Sequence, residues 1–283
     1  MENYRRDDFW DAATWADIDQ AALAEAQQIR VARKVFRTED LSTATEGAPF
    51  WISRAPVVRA AGLLLLPESD AQPFIEISAP FQLTPAQADA ESTLHTARTL
   101  ARMAAMRVAR AEDEIILRGP AFLRSALATN TAGILGVGGR SRARVLSSRM
   151  LRPTDPQKLL DTVSDEIAVL GANGWPEPYA LVLGQNLYQI AFERLSASTE
   201  ETPQGRLKDR LKHLSVSGAL HPDNGFLASL SGESVTIYTA REVSTSFTHE
   251  SLAFPRGALY NFRVFARIQF VVRDTESIVR LEL

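Results

Sequence analysis

The chain has 283 residues and a mass of 31.2 kDa, enough to bury a substantial core without disulfides or metals as staples. It contains no cysteine, which excludes a cross-linked secreted scaffold, thiolate metal sites and cysteine nucleophiles. Its formal net charge of -3 argues against a protein whose main task is coating nucleic acid, because phosphate neutralisation needs a basic surface.

The opening residues, Met1 to Asp8, lack the apolar stretch and small-residue cleavage site of a signal peptide, so export by that route is not expected. The longest aliphatic run, Leu63 to Leu66, is far shorter than the ~20 residues that span a bilayer. A soluble, cytoplasmic chain with no membrane partner is the expectation.

In 14–36 the apolar positions Trp15, Ile18, Ala22, Ala26, Ile29 and Phe36 fall at helical steps, with Thr14 as N-cap and Asp17 completing an acidic capping box. The opposite face carries Gln20, Gln27, Gln28 and Arg30, which predicts a helix lying on a surface. Between 43 and 80 the prolines 49, 56, 67, 73 and 80 punctuate strand-like runs, which predicts a long hairpin arm turning near Pro67–Asp70. Such an arm has little partner surface of its own and invites a neighbouring subunit.

The Ala-rich stretch 85–117 places Leu94, Ala97, Ala101, Ala104, Val108, Ala111 and Ile115 on one stripe of a long helix, stopped by Gly119-Pro120. Its end carries Glu112-Asp113-Glu114, acids at the negative end of the helix dipole, with Arg110 and Arg118 near enough to compensate. Adjacent acids do not face one another on a helix, so this triplet reads as capping or an interface salt bridge, not as catalytic carboxylates. Further on, a helix over 155–170, an apolar strand over 179–183 and a helix over 186–195 suggest an α/β unit, and the polar stretch 196–205 reads as an exposed loop. From Leu214 short strands dominate, at 226–230, 234–238, 259–270 and 278–283, and form a closing sheet. Within 262–270, Phe262, Val264, Ala266, Ile268 and Phe270 share one side, with Arg263, Arg267 and Gln269 mostly on the other.

The histidines His95, His213, His221 and His249 have no metal-ligand spacing, and no metal site is expected. Gly136-Val137-Gly138-Gly139 is not followed by Gly-Lys-Ser/Thr and reads as a turn, not a phosphate loop. No Gly-x-Ser-x-Gly elbow is present, and no catalytic residue is assigned. The densest basic stretch, Arg140, Arg142, Arg144, Arg149 and Arg152, reads as subunit-interface pairing, with lumenal nucleic acid as the alternative.

The order of parts is a first helix, a hairpin arm, a long helix ending in acids and Arg-Gly, an α/β middle and a closing sheet. It resembles the encapsulins. The local matches are Trp15-x-x-Ile18-Asp19 with Arg33-Lys34-Val35, the run Glu112 to Gly119, Gly133-Ile134-Leu135, Pro178 to Val182 and Ser277 to Leu281. All occur in family order. The resemblance implies an α+β chain with the tailed-phage major capsid fold, of the first encapsulin family in which an N-terminal helix lines the interior. By analogy, 1–42 would hold the lumenal helix and lead-in, 43–80 the extended loop, 81–130 the spine helix and peripheral domain, 131–222 the axial domain, and 223–283 the peripheral sheet. Many copies, on the order of sixty or more, would close into an icosahedral shell around a cargo enzyme that docks through a targeting peptide. In this family the cargo is commonly a ferritin-like iron-oxidising protein or a dye-decolorising peroxidase, which links the shell to iron storage and oxidative stress.

On that analogy the cargo groove lies between the first helix and the last strands, lined by Ile18, Ala22, Leu23, Ile29 and Val31, and the five-fold pore rim is built from Ser196, Ser198, Thr199, Glu200, Glu201 and Thr202. The sequence departs from the family pattern in places: the extended-loop segment 43–80 lacks the Gly-rich, acidic entry many members show. Residues 247–257 look like an insertion, and 83–87 offers no exposed aromatic for flavin, so no cofactor is expected. No enzymatic activity of its own is expected either. The alternatives are a viral or prophage capsid protein of the same fold, and an α/β enzyme with a concave polar pocket.

Overall fold

The strands among the described residues form a four-stranded sheet, a five-stranded sheet and a two-stranded hairpin, and the long helix packs against the four-stranded sheet. The computed structural model describes residues 9–41, 58–60, 63–65, 74–118, 142–144, 155–253 and 257–282. Gly119-Pro120, the glycine turn at 136–139, the turn expected at Pro67–Asp70 and most of the basic stretch 140–152 lie outside the described residues.

Helix α1 (Ala12–Ile29) buries Trp15, Ile18, Ala22 and Ala26, as its periodicity predicts. Its cap is Asp11, not Thr14: the Asp11 carboxylate accepts the Thr14 backbone N–H at 2.7 Å. Asp17 forms an ion pair with Arg98 at 3.3 Å instead of completing a capping box. The helix does not run on to Phe36. It ends at Arg30, restarts as α2 (Ala32–Val35) and passes into strand β1 (Arg37–Asp40).

In the arm, β2 (Val58–Ala60) pairs antiparallel with β3 (Leu63–Leu65), in register from Val58 with Leu65 to Ala60 with Leu63. The expected strand around Phe74 to Ile77 is the start of β4 (Ile75–Leu83), whose strictly alternating burial seats it in the four-stranded sheet instead of the arm.

The spine is three helices, not one. After the Thr84–Gln87 capping box come α3 (Pro85–Asp89), α4 (Glu91–Leu94) and α5 (Thr96–Arg118), and the last break lies at His95, which is left-handed with φ 50°. Glu91 supplies the reason: its buried carboxylate accepts the backbone N–H groups of Ala97 at 2.6 Å and Arg98 at 2.9 Å and so caps α5. Leu94, assigned to the buried stripe, is 62% exposed as a result. From Ala97 to Ile115 the stripe faces the core as expected, with Ala111 at its margin.

Strand β5 (Arg142–Arg144) precedes α6 (Pro156–Ala172), capped by Asp155, then β6 (Tyr179–Leu183), α7 (Gln185–Phe192), α8 (Pro203–Leu207), β7 (Leu211–Val216) and β8 (Asn224–Ser229). The chain ends in β9 (Val235–Ala253), β10 (Gly257–Val272) and β11 (Ile278–Glu282). These last strands do not form one closing sheet. β9 and β10 form a hairpin paired from Val235 with Val272 to Ala253 with Gly257, flanked as β1-β9-β10-β4. β8 and β11 instead join β6 in the order β5-β11-β8-β6-β7. The reason is burial on both faces. Tyr179, Leu181, Leu183, Leu227, Val279 and Leu281 pack under α6 and α7, while Ala180, Val182, Phe226, Ala228 and Ile278 join the larger core with α1, α5 and the four-stranded sheet. The stretch 247–253, read as an insertion, is a continuation of β9.

Candidate assembly and cargo surfaces

Two motifs far apart in the sequence, Arg33-Lys34-Val35 and Glu112-Asp113-Glu114, meet in one buried cluster. At the break between α1 and α2, Asp113 accepts the Val31 N–H at 2.8 Å and the Ala32 N–H at 3.0 Å, replacing the carbonyls a continuous helix would have supplied. Beside it Glu112, fully buried, pairs with Arg30 at 2.8 Å and with Arg33, and both arginines also reach Glu242 on β9, Arg30 at 3.0 Å. Glu112 and Asp113 are therefore compensated by α1 and α2, while Arg118 interacts electrostatically with Glu114, as expected, and also donates to the Ala219 carbonyl at 3.4 Å. Arg30, placed by periodicity on the open face, is 2% exposed.

Burial pushes the Asp113 carboxyl up to about 6, with Glu112 adding to the rise and the two N–H groups and Arg30 opposing it. Glu242 goes the other way. Burial would raise it, but Arg30 and Arg33 hold it below its ordinary value. Two guanidinium groups thus face three carboxylates in a site that is buried except at Glu242, and the site clamps the α1–α2 junction to α5 and β9.

The front of α1 is held by aromatic packing. Trp10 stacks on Phe262 at 5.1 Å, with Phe9, Trp15, Phe81 and Phe247 around the same ring, and Trp10 Nε1 donates to the Ala88 carbonyl at 2.9 Å. Along its length, Glu25 pairs with Arg102 at 2.6 Å, and Asp19 accepts the Thr245 N–H of β9 at 2.7 Å. Of the five residues assigned to a groove, Ile18 and Ala22 are 1% and 0% exposed and belong to this chain's own core, so they cannot line one. Leu23, Ile29 and Val31 are partly buried at its edge.

The segment from Ser196 follows α7 and carries Ser196, Ser198, Thr199, Glu200 and Glu201 exposed, with Thr202 half-buried as the cap of α8. Glu201 pairs with Arg206, and the Ser196 hydroxyl lies 3.0 Å from that of Ser198 and 3.2 Å from that of Thr199. On the outer face of the four-stranded sheet Arg263 and Arg267 grip Glu76 at 2.6 and 2.8 Å, whereas Gln269, read as outward, is buried.

Among the described residues no group of three or more His, Asp or Glu is disposed to hold a metal, and no helix is long and apolar enough to cross a membrane. A cavity of about 260 Å³ between Phe36 and Ser234 has its charged groups, Arg37 and Glu233, already paired with each other.

An inner helix clamped to a long helix, a four-stranded sheet with a long hairpin and a five-stranded α/β unit together make the tailed-phage major capsid fold. A virus-like particle from Pyrococcus furiosus superimposes with a TM-score of 0.65 at 14% identity, covering 95% of this chain and 99% of that one. The capsid of Myoviridae phage XM1 gives 0.51 at 12% identity, over 74% and 73% of the two chains. At these identities the likeness is one of fold.

The family model described as "Encapsulating protein for peroxidase" matches residues 1–255. The chain belongs to that family, the encapsulins, and is a shell protein rather than an enzyme. A type 1 encapsulin shell protein of Rhodospirillum rubrum is 28% identical over 190 residues, 64% of this chain and 63% of that protein, just under two thirds of the relative's length.

Proposed function

We propose that the chain self-assembles into a closed icosahedral shell, a cytoplasmic nanocompartment that encloses an oxidoreductive enzyme. The observation that carries this reading is the match of the encapsulating family over 1–255 on a capsid fold. The family is described as encapsulating a peroxidase, which favours a dye-decolorising peroxidase over a ferritin-like iron-oxidising protein as cargo. In this reading 43–80 is the extended loop that overlaps a neighbour, and 196–202 rims the pore at the five-fold axis. Cargo docks through a targeting peptide at the edge of α1, on Leu23, Ile29 and Val31. A short peptide needs only a few apolar anchors, and a shell repeats the site many times over.

Electron microscopy of the protein expressed alone tests the shell. Uniform closed particles are expected, and a monodisperse monomer or dimer would overturn the reading. Ile29→Gln tests the docking edge: particles should still form, while co-purified peroxidase falls at least ~ten-fold, the scale on which losing an anchor acts. Unchanged loading in intact particles places the docking site elsewhere.

A further inference from the structure

The chain has no cysteine, so its four methionine thioethers are all the sulfur it carries, and Met103 and Met106 are the two that lie among the described residues. They sit one turn apart on α5, but they are not equally open. Met103 is 50% exposed, one of few large apolar side chains facing solvent among those residues, and Met106 is half-buried. A single exposed apolar side chain is ordinary on a protein surface. What sets Met103 apart is its chemistry and its neighbours.

Those neighbours are polar and cationic. Thr99, Arg107 and Arg110 are exposed on the same side of α5, away from the buried stripe that runs from Ala97 to Ile115. Arg102 is held by Glu25 and Arg98 by Asp17, whereas among the described residues no ion pair engages Arg107 or Arg110. A thioether that gains an oxygen at this position becomes a polar acceptor one turn from the unpaired Arg107 guanidinium, the spacing at which helical side chains meet. The core is left untouched. Oxidation of a buried methionine disrupts packing, but here the altered group stays in solvent.

Helices α1 and α5 lie side by side on the inward face of the four-stranded sheet, α1 against β9 and α5 against β4 and β10, so the solvent side of α5 belongs to the same helical layer as α1. In the shell reading α1 lines the interior, the space through which an enclosed peroxidase draws its oxidant. Building on that reading, we propose that Met103 is a lumenal oxidation site that consumes hydrogen peroxide entering the compartment. The sulfur gives up two electrons and gains one oxygen atom, the O–O bond breaks, and the second oxygen leaves with both hydrogens as water. Susceptibility follows exposure, so Met103 reacts ahead of Met106. A closed shell passes small solutes but not a folded protein, and the sulfoxide is therefore out of reach of the reductases that reverse it.

Intact particles of the full chain exposed to hydrogen peroxide test the proposal. Trypsin cuts after Arg102 and Arg107, so both methionines leave in one short peptide whose fragment masses tell them apart. Sulfoxide at Met103 should build up at least ~five-fold faster than at Met106, with the unfolding midpoint moved by less than ~2 °C. A mixture of the two methionine sulfoxide reductases, one for each epimer, supplied outside with dithiothreitol, should leave that sulfoxide in place in intact particles and remove it from subunits released from them. Met106 oxidised as fast as Met103, Met103 unmodified in intact particles, or a midpoint that falls as Met103 is oxidised would overturn the site. Repair within intact particles would overturn its lumenal placement. Protein that forms no particles would remove the shell reading itself, and the order of oxidation in the free subunit then decides whether Met103 reacts first.

Discussion

Asp113, within α5, uses both carboxylate oxygens to start α2, accepting the Val31 and Ala32 N–H groups. Its pKa, raised to about 6 from 3.8, means that the folded chain holds this proton more tightly than the unfolded chain. Stability from this group therefore rises as pH falls through about 6 towards about 4, by at most ~3 kcal/mol. Glu242 has the opposite sign: held below 4.5, its contribution is present above that value and is lost as pH falls further. The thermal midpoint should be highest between roughly pH 4.5 and 6, and Asp113→Asn should flatten the rise on going from about pH 7 to about pH 5. An undiminished rise in that variant, followed by calorimetry, would assign it to another group. The sequence exposed the acidic triplet and the Arg33-Lys34-Val35 run as separate motifs. Their meeting was not legible, because nothing local to Arg30 marks it as buried and Glu242 lies 130 residues beyond Glu112 in a polar strand.

At the scale of elements, apolar period identified the inner faces of α1, α5, α6 and β10, and the structure buries those faces. It failed where a side chain reached in from a distance. The Ala-rich spine keeps helical spacing straight through His95, and only the Glu91 carboxylate turned onto Ala97 and Arg98 breaks it. Of β9 only the part within 234–238 is anticipated; beyond it the polar residues from Arg241 to Glu250 break the apolar alternation, and the strand is fixed by its pairing along β10. The aromatic cluster is an element-level joint of this kind, with Phe262 at its centre and fully buried. Phe262→Ala should cost ~3–5 kcal/mol, read as a lowered unfolding midpoint, whereas Phe265→Ala on the outer face, next to Arg263, should cost far less. Equal losses at the two positions would show that the cluster does not fasten α1.

For the whole molecule, the order of parts carried more information than any single motif, and it was enough to anticipate the capsid fold and the family. The membership of the two sheets was harder to read. Strands 226–230, 259–270 and 278–283 look alike as runs of apolar residues, and only tertiary burial on one face or two sorts them. The proposed docking edge was likewise half legible: the helical stripe was correct, but a buried stripe belongs to the core, and the residues left for a partner lie on its margin.

The thread that leaves α2 enters the four-stranded sheet at once, as β1 laid parallel to β9 from Arg37 with Thr236 to Asp40 with Thr239. Helix α1 is thus moored fore and aft, by stacked rings at one end and by salt bridges and a strand at the other. A platform already still meets an incoming guest without entropy being spent on quieting the host. In the docking proposed above, retention would scale with how many berths the guest occupies together, and a weak grip at each would suffice.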